Sequence, residues 1–96
     1  MTLKYEPWGN NPDFDWDHGN LEEIWNHRIR DFEVEQCFEN EHDAIPHMKA
    51  RSQPVKYGDR YVVRGMTHGG RRLTIVVQYL GDSWVRPVTA WDDKKK

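Results

Sequence analysis

The sequence predicts a single α+β domain in which a short N-terminal strand and two helices precede a three-stranded antiparallel meander. Apolar residues recur at helical spacing between Asn20 and Phe38, then at every second position from Arg60 onward, where Val, Ile, Tyr and Thr accumulate. Charge changes sign where the period changes. Residues 1–46 set three cations (Lys4, Arg28, Arg30) against twelve carboxylates, whereas residues 47–96 set eleven cations against four. A chain of 96 residues is also too short to divide between two hydrophobic cores.

Each element has its own local reason. Residues 1–13 hold Pro7, Gly9, Asn10, Asn11 and Pro12, which break regular structure and predict an irregular arm. Phe14-Asp15-Trp16-Asp17 alternates apolar with acidic side chains, as a half-buried strand does. A first helix is expected from Asn20, which can cap it, with Glu23 three residues on and Leu21, Ile24, Trp25 and Arg28 at helical spacing. A second starts at Asp31, where Val34, Cys37 and Phe38 form one stripe. Residues 39–58 are polar and interrupted by Pro46 and Pro54, which predicts loop with one edge strand near Ala44 to Arg51. Arg60 to Met66, Arg72 to Leu80 and Ser83 to Ala90 are the meander, with turns at Thr67-His68-Gly69-Gly70 and Gly81-Asp82. In its central strand Leu73, Ile75, Val77 and Tyr79 share the face expected to meet the helices, and the opposite face is left for solvent or a ligand. The domain is expected to span residues 14–91, and residues 92–96 form a charged tail ending in Lys94-Lys95-Lys96.

Composition narrows the function classes. Cys37 is the only cysteine, so neither an intrachain disulfide nor a multi-cysteine zinc site can form, and a reducing cytoplasm suits the chain. No basic segment leads into an apolar run, and no eighteen apolar residues stand together, so neither a leader peptide nor membrane association is expected. Five Trp, four Tyr and three Phe supply the contact area of a folded domain despite 31% charged residues.

The opposed charges of the two halves suggest one surface that faces a polyanion, although two ordinary solvated faces would give the same totals. Arg51, Lys56, Arg60, Arg64, Arg71, Arg72 and Arg86 are interleaved with Tyr57, Tyr61, His68, Tyr79 and Trp84. Guanidinium forks suit phosphate and aromatic rings stack unpaired bases, so the mixture fits single-stranded RNA. Cross-strand packing alone would also use such residues. A metal-free ribonuclease needs a base for the ribose 2′-hydroxyl, cations for the crowded phosphate and a proton donor, roles open to His, Lys, Tyr and Arg. His68, beside Arg71, can exchange protons near neutral pH, and Arg60 and Arg86 can clamp phosphate from strands. His27, between the two helices, fits a structural hydrogen bond. Glu41-His42-Asp43 with His47 matches no usual zinc spacing, and phosphate loops and nucleophile elbows are absent, so no metal and no cofactor is expected.

Several segments, in order, resemble the BrnT family, toxins of bacterial toxin–antitoxin pairs with a RelE-like ribonuclease fold. They are Phe14-Asp15-Trp16-Asp17, Asn20 to Ile29, Glu33-Val34-Glu35 with Phe38, Arg60 to Gly65, Gly70 to Val77 and Val85 to Ala90, together covering about residues 14–91. The resemblance implies a strand, two helices and a curved antiparallel RelE-like sheet. It also implies metal-independent cleavage of RNA and neutralisation by a cognate antitoxin, through which the protein could oligomerise. Arg60 matches the arginine opening the family's R-Y-V-V-x-G strand, and Arg86 the first arginine of its closing V-R-x-[IV]-[TS]-A-R strand. Trp91 stands where that closing motif has its second arginine, and Asp92-Asp93 stand where members usually enter a final helix. These departures leave open a non-catalytic module of the same fold that binds RNA or a protein.

Overall fold

A computed structural model describes residues 6–93; the first five residues of the expected arm and the lysines of the tail lie outside them. The chain runs β1 (Asp13–Phe14), α1 (His18–Trp25), α2 (Asp31–Glu39), β2 (His42–Pro46), α3 (Pro54–Tyr57), β3 (Arg60–Met66), β4 (Arg72–Gly81) and β5 (Trp84–Asp92). All five strands join one mixed sheet in the order β1-β5-β4-β3-β2. The α+β class is therefore as expected, with a third, short helix and a larger sheet. The consecutive antiparallel strands β3, β4 and β5 occupy the middle, β2 adds antiparallel to β3, and β1 pairs in parallel with β5. The sequence predicts both edge strands, but they are displaced: the first is Asp13–Phe14, not Phe14 to Asp17, and the second is His42–Pro46, not near Ala44 to Arg51, because two or five residues carry too little periodicity to fix bounds or reveal a partner.

The first helix begins two residues before the expected Asn20. Asp17 is its cap: the Asp17 carboxylate accepts from the Asn20 N–H at 3.1 Å, and the Asn20 side-chain carbonyl accepts from the Asp17 N–H at 2.8 Å. Asn20, buried at the third helical position, then donates its side-chain amide to the carbonyls of Asp15 and Pro87, each at 2.9 Å. One amide thus joins the helix start, the end of β1 and the middle of β5. The second helix starts at Asp31 as predicted; Glu33 accepts from the Arg30 N–H at 3.0 Å, and Asp31 and Glu33 complement its positive end.

Both helices cover one face of the sheet. Ile24, Ile29, Val34, Cys37 and Phe38 meet Val63, Leu73, Ile75, Val77, Val85 and Ala90 there, all buried. The predicted inward set of β4 is correct, with Leu73, Ile75 and Val77 fully enclosed and Tyr79 packed at the margin. Burial drives the single thiol of Cys37 up to about 12, which keeps it protonated and unreactive. Trp8 departs from expectation: it lies in the segment read as an irregular arm, yet is only 3% exposed, with its ring against Phe38, Tyr61 and Tyr79. The packed unit therefore reaches back beyond residue 14.

Gly65 lets α2 approach the sheet. A Cβ there would lie 2.9 Å from the Cys37 carbonyl oxygen, 3.0 Å from its Cβ and 3.1 Å from the His42 Cβ. Gly65→Ala is expected to destabilise the fold by about 1–3 kcal/mol, because α2 or β3 must shift to admit the methyl group. Urea unfolding followed by circular dichroism checks it, and an unchanged midpoint would show that the contact relaxes freely.

Candidate nucleic-acid interface

Side chains opposite one another across an antiparallel ladder emerge on the same face. Arg60 of β3 lies opposite Gln78 of β4, and Gln78 opposite Arg86 of β5. Neighbouring strands stand about 4.8 Å apart, so the two arginines are anchored about 10 Å from one another on the face away from the helices. A second row runs Asp43, Arg64, Thr74, Trp91, and between the rows lie Ile45, Val62, Val76 and Thr89. Arg72, opposite Met66, completes the set. Four arginines thus surround an apolar strip, along which Val76 is only 8% exposed although it faces away from the main core.

The two arginines of the first row have different surroundings. The Arg86 guanidinium lies 2.8 Å from the Asp17 carboxylate and 3.3 Å from that of Asp15, so residues at the start of α1 hold it from the sheet edge. The hydrogen bond to Asp17 raises the already high Arg86 pKa. The same bond, helped by the Asn20 N–H, holds the Asp17 carboxyl below its ordinary 3.8. No carboxylate lies within ion-pair distance of Arg60 among the described residues. Its Nε is buried without a hydrogen-bond partner, and its guanidinium carbon lies 5.5 Å from the Tyr57 ring centroid. Arg60, Gln78, Arg86 and Thr89, with Asn20 and Glu23 of α1, line an open groove of about 460 Å³.

The Asp17–Arg86 bond has a pH signature. A carboxyl whose folded pKa lies below its unfolded value stabilises the fold fully above that unfolded value, and loses the contribution as pH falls through the folded one. Carboxyl-carbon NMR is expected to show Asp17 titrating below an ordinary aspartate, and Arg86→Gln to move its midpoint upward. Identical midpoints in the two proteins would place the cause in the helix cap alone.

The remaining candidate residues divide into two groups. Arg64 and Arg72 are exposed on the arginine-bearing face, where both line a groove of about 550 Å³ beside Asp43 and Asp93. Lys56 and Arg51 belong to the segment between β2 and β3, with the Lys56 ammonium 5.4 Å from the Tyr57 ring centroid and Arg51 exposed in the turn before α3. Arg71 and His68 lie elsewhere. Arg71 bonds Asp92 at 2.7 Å, Glu33 at 3.1 Å and the Arg28 carbonyl at 2.9 Å, clamping the β3–β4 turn to α2 and β5. His68 lies 3.3 Å from Glu39 and 3.1 Å from the Asn40 amide, and its N–H donates to Gln36. Arg60 opens β3 and His68 lies in the turn beyond Met66, so the length of the strand, about 20 Å at its rise per residue, separates them. The structure therefore brings Arg60 and Arg86 together and leaves His68 and Arg71 as fasteners of the far turn.

Sequence reading missed three members of this region: Gln78 between the arginines, and Asp15 and Asp17 clasping one of them. Their roles depend on strand register, and the extra residue in β5, where Val76 opposes Thr89 but Val77 opposes Pro87, shifts the frame of any count made from β4. His27 lies 3.6 Å from Glu23, one turn earlier on α1. Among the described residues no group of three or more His, Cys, Asp or Glu side chains is placed to hold a metal ion, and no helix is long and apolar enough to cross a membrane. Compared with known proteins, the chain matches no family model, no curated protein and no solved structure.

Proposed function

We propose that this chain is a BrnT-like toxin with a RelE-like curved sheet, which receives single-stranded RNA on the face away from its helices and cleaves it without a metal. The observation that carries the reading is the register row Arg60, Gln78, Arg86, which anchors two arginines on either side of Gln78 along one groove. In this reading Arg60 meets a phosphate directly, since it has no carboxylate to displace among the described residues. Arg86 must first exchange Asp15 and Asp17 for phosphate. Arg64 and Arg72 hold neighbouring phosphates, and the apolar strip with Trp91 receives bases. A cognate antitoxin would silence the toxin by covering this face.

Growth inhibition on induced expression, together with cleavage of a labelled RNA by purified protein, tests the reading. Arg60→Ala and Arg86→Ala are expected to abolish both while leaving the far-ultraviolet circular dichroism unchanged; cleavage by the double variant at the wild-type rate would refute the assignment.

The carboxylate clasp on Arg86 favours a second reading, a non-catalytic module that binds RNA through Arg60, Arg64 and Arg72. Salt-dependent RNA binding without cleavage, in wild type and in Asp15→Asn/Asp17→Asn alike, would select it.

A further inference from the structure

The segment between β2 and β3 folds back on the start of β3 and gathers cations around one ring. The His47 N–H donates to the Arg60 carbonyl at 2.9 Å, the Gln53 N–H to Lys49 at 2.8 Å and the Tyr57 N–H to Gln53 at 2.9 Å. These bonds bring three positive groups to Tyr57: the ammonium groups of Lys49 and Lys56, each 5.4 Å from its ring centroid, and the Arg60 guanidinium at 5.5 Å. His47 stacks on the same ring, 4.7 Å between centroids and 20° between planes. Its Nδ1 accepts from the Lys49 N–H at 3.0 Å, so the neutral imidazole carries its hydrogen on Nε2, away from the backbone.

These four groups lack a counter-charge. None is within ion-pair distance of a carboxylate among the described residues. The acid adjoining Arg60 in sequence, Asp59, accepts instead from the Gln78 side chain at 3.1 Å. Ring attraction offsets only part of the mutual repulsion of three like charges. The buried, unpartnered Arg60 Nε adds an unmet donor to the same cluster.

We infer that His47, Lys49, Lys56 and Arg60, assembled around Tyr57, form an oxyanion site for a phosphate group. A tetrahedral oxyanion supplies several acceptor oxygens to donors arriving from separate directions, and its charge relieves the repulsion that holds the cluster open. The ligand is either a free phosphate or phosphate ester, or a phosphodiester within a nucleic-acid strand. The site shares Arg60 with the ribonuclease reading but needs neither Arg86 nor a general base, and it assigns work to His47, Lys49 and Tyr57, which that reading leaves idle.

The test follows the His47 and Tyr57 ring resonances of the whole protein by NMR. Sodium phosphate, sodium chloride of equal ionic strength and an RNA hexamer lacking terminal phosphates are added in separate titrations. A saturable shift with phosphate that chloride does not reproduce supports the site and a free phosphate group as ligand; a shift with the hexamer alone supports it with a phosphodiester. In either case Lys49→Gln/Lys56→Gln, both exposed positions, is expected to weaken binding at least tenfold. Arg30→Gln, which removes a cation over Trp25 on the helical side, is expected to change it less than twofold. Equal shifts with chloride, no shift with either ligand, or undiminished binding by the double lysine variant would overturn the inference. RNA cleavage, scored on the same samples, separates the two proposals: cleavage retained without a phosphate response removes this site alone.

Discussion

Trp8→Ala is expected to cost about 3–5 kcal/mol, the range for emptying a buried aromatic position, and to unfold a large fraction of the chain near its growth temperature. The indole is 3% exposed and lies 5.3 Å from the Tyr61 ring at an interplanar angle of 88°, 6.0 Å from Phe38 and 6.3 Å from Tyr79. It therefore bridges α2, β3 and β4 from a segment with no regular structure of its own. Its Nε1 is buried without a hydrogen-bond partner, a loss of about 1–3 kcal/mol relative to a solvated indole. Trp8→Phe removes that unmet donor along with part of the ring, so it is expected to cost far less than Trp8→Ala. Chemical denaturation of the three proteins measures both differences. Equal losses for Phe and Ala would mean that the ring volume Phe retains contributes nothing here, and a negligible loss for Ala would place Trp8 outside the cooperative unit.

Replacing Arg60, Arg64 and Arg72 together with glutamine is expected to lower affinity for single-stranded RNA about 100-fold at low salt. Each cation that meets a phosphate contributes on the order of 1 kcal/mol net and about 0.7 to the slope of log affinity against log salt, so the slope should also fall by about 2. No carboxylate of the described residues pairs with these three, so their removal breaks no ion pair and should leave the fold intact. The matched change Arg71→Gln should behave oppositely, weakening the fold through Glu33 and Asp92 and leaving the salt slope alone. Fluorescence anisotropy across a salt series reads both quantities. A triple variant with an unaltered slope would show that RNA, if bound, meets another surface.

The contrast between Arg71 and Arg60 shows how far the sequence could be read. Period and composition located α2, β3 and β4 closely, and parity within β4 separated Leu73, Ile75 and Val77 from Arg72 and Gln78, because side-chain alternation is a local property of a strand. Which arginine is held by a carboxylate is not local. Asp15 and Asp17 reach Arg86 across more than sixty residues of chain, through a parallel pairing of two residues that has no periodicity to detect. Trp8 was hidden for a similar reason: Pro7 and Gly9 mark irregular backbone correctly, but irregular backbone can still deliver a side chain to a core. Arg60 and Arg86 are expected from the sequence to act together, but alternation alone could not place Gln78 between them, since a count along β5 from Trp91 that ignores the bulge arrives at the wrong face by Arg86.

The strand order has a consequence for synthesis on the ribosome. Both margins of the sheet, β1 and β2, are translated before any of its three inner strands, and the final inner strand is the one to which β1 and Asn20 attach. The first half of the nascent polypeptide therefore emerges without the inner strands on which its helices pack, and most of its apolar side chains wait until Trp84 to Asp92 are released. Acquisition of structure should consequently be abrupt and late, following release of β5 instead of proceeding stepwise from the amino end.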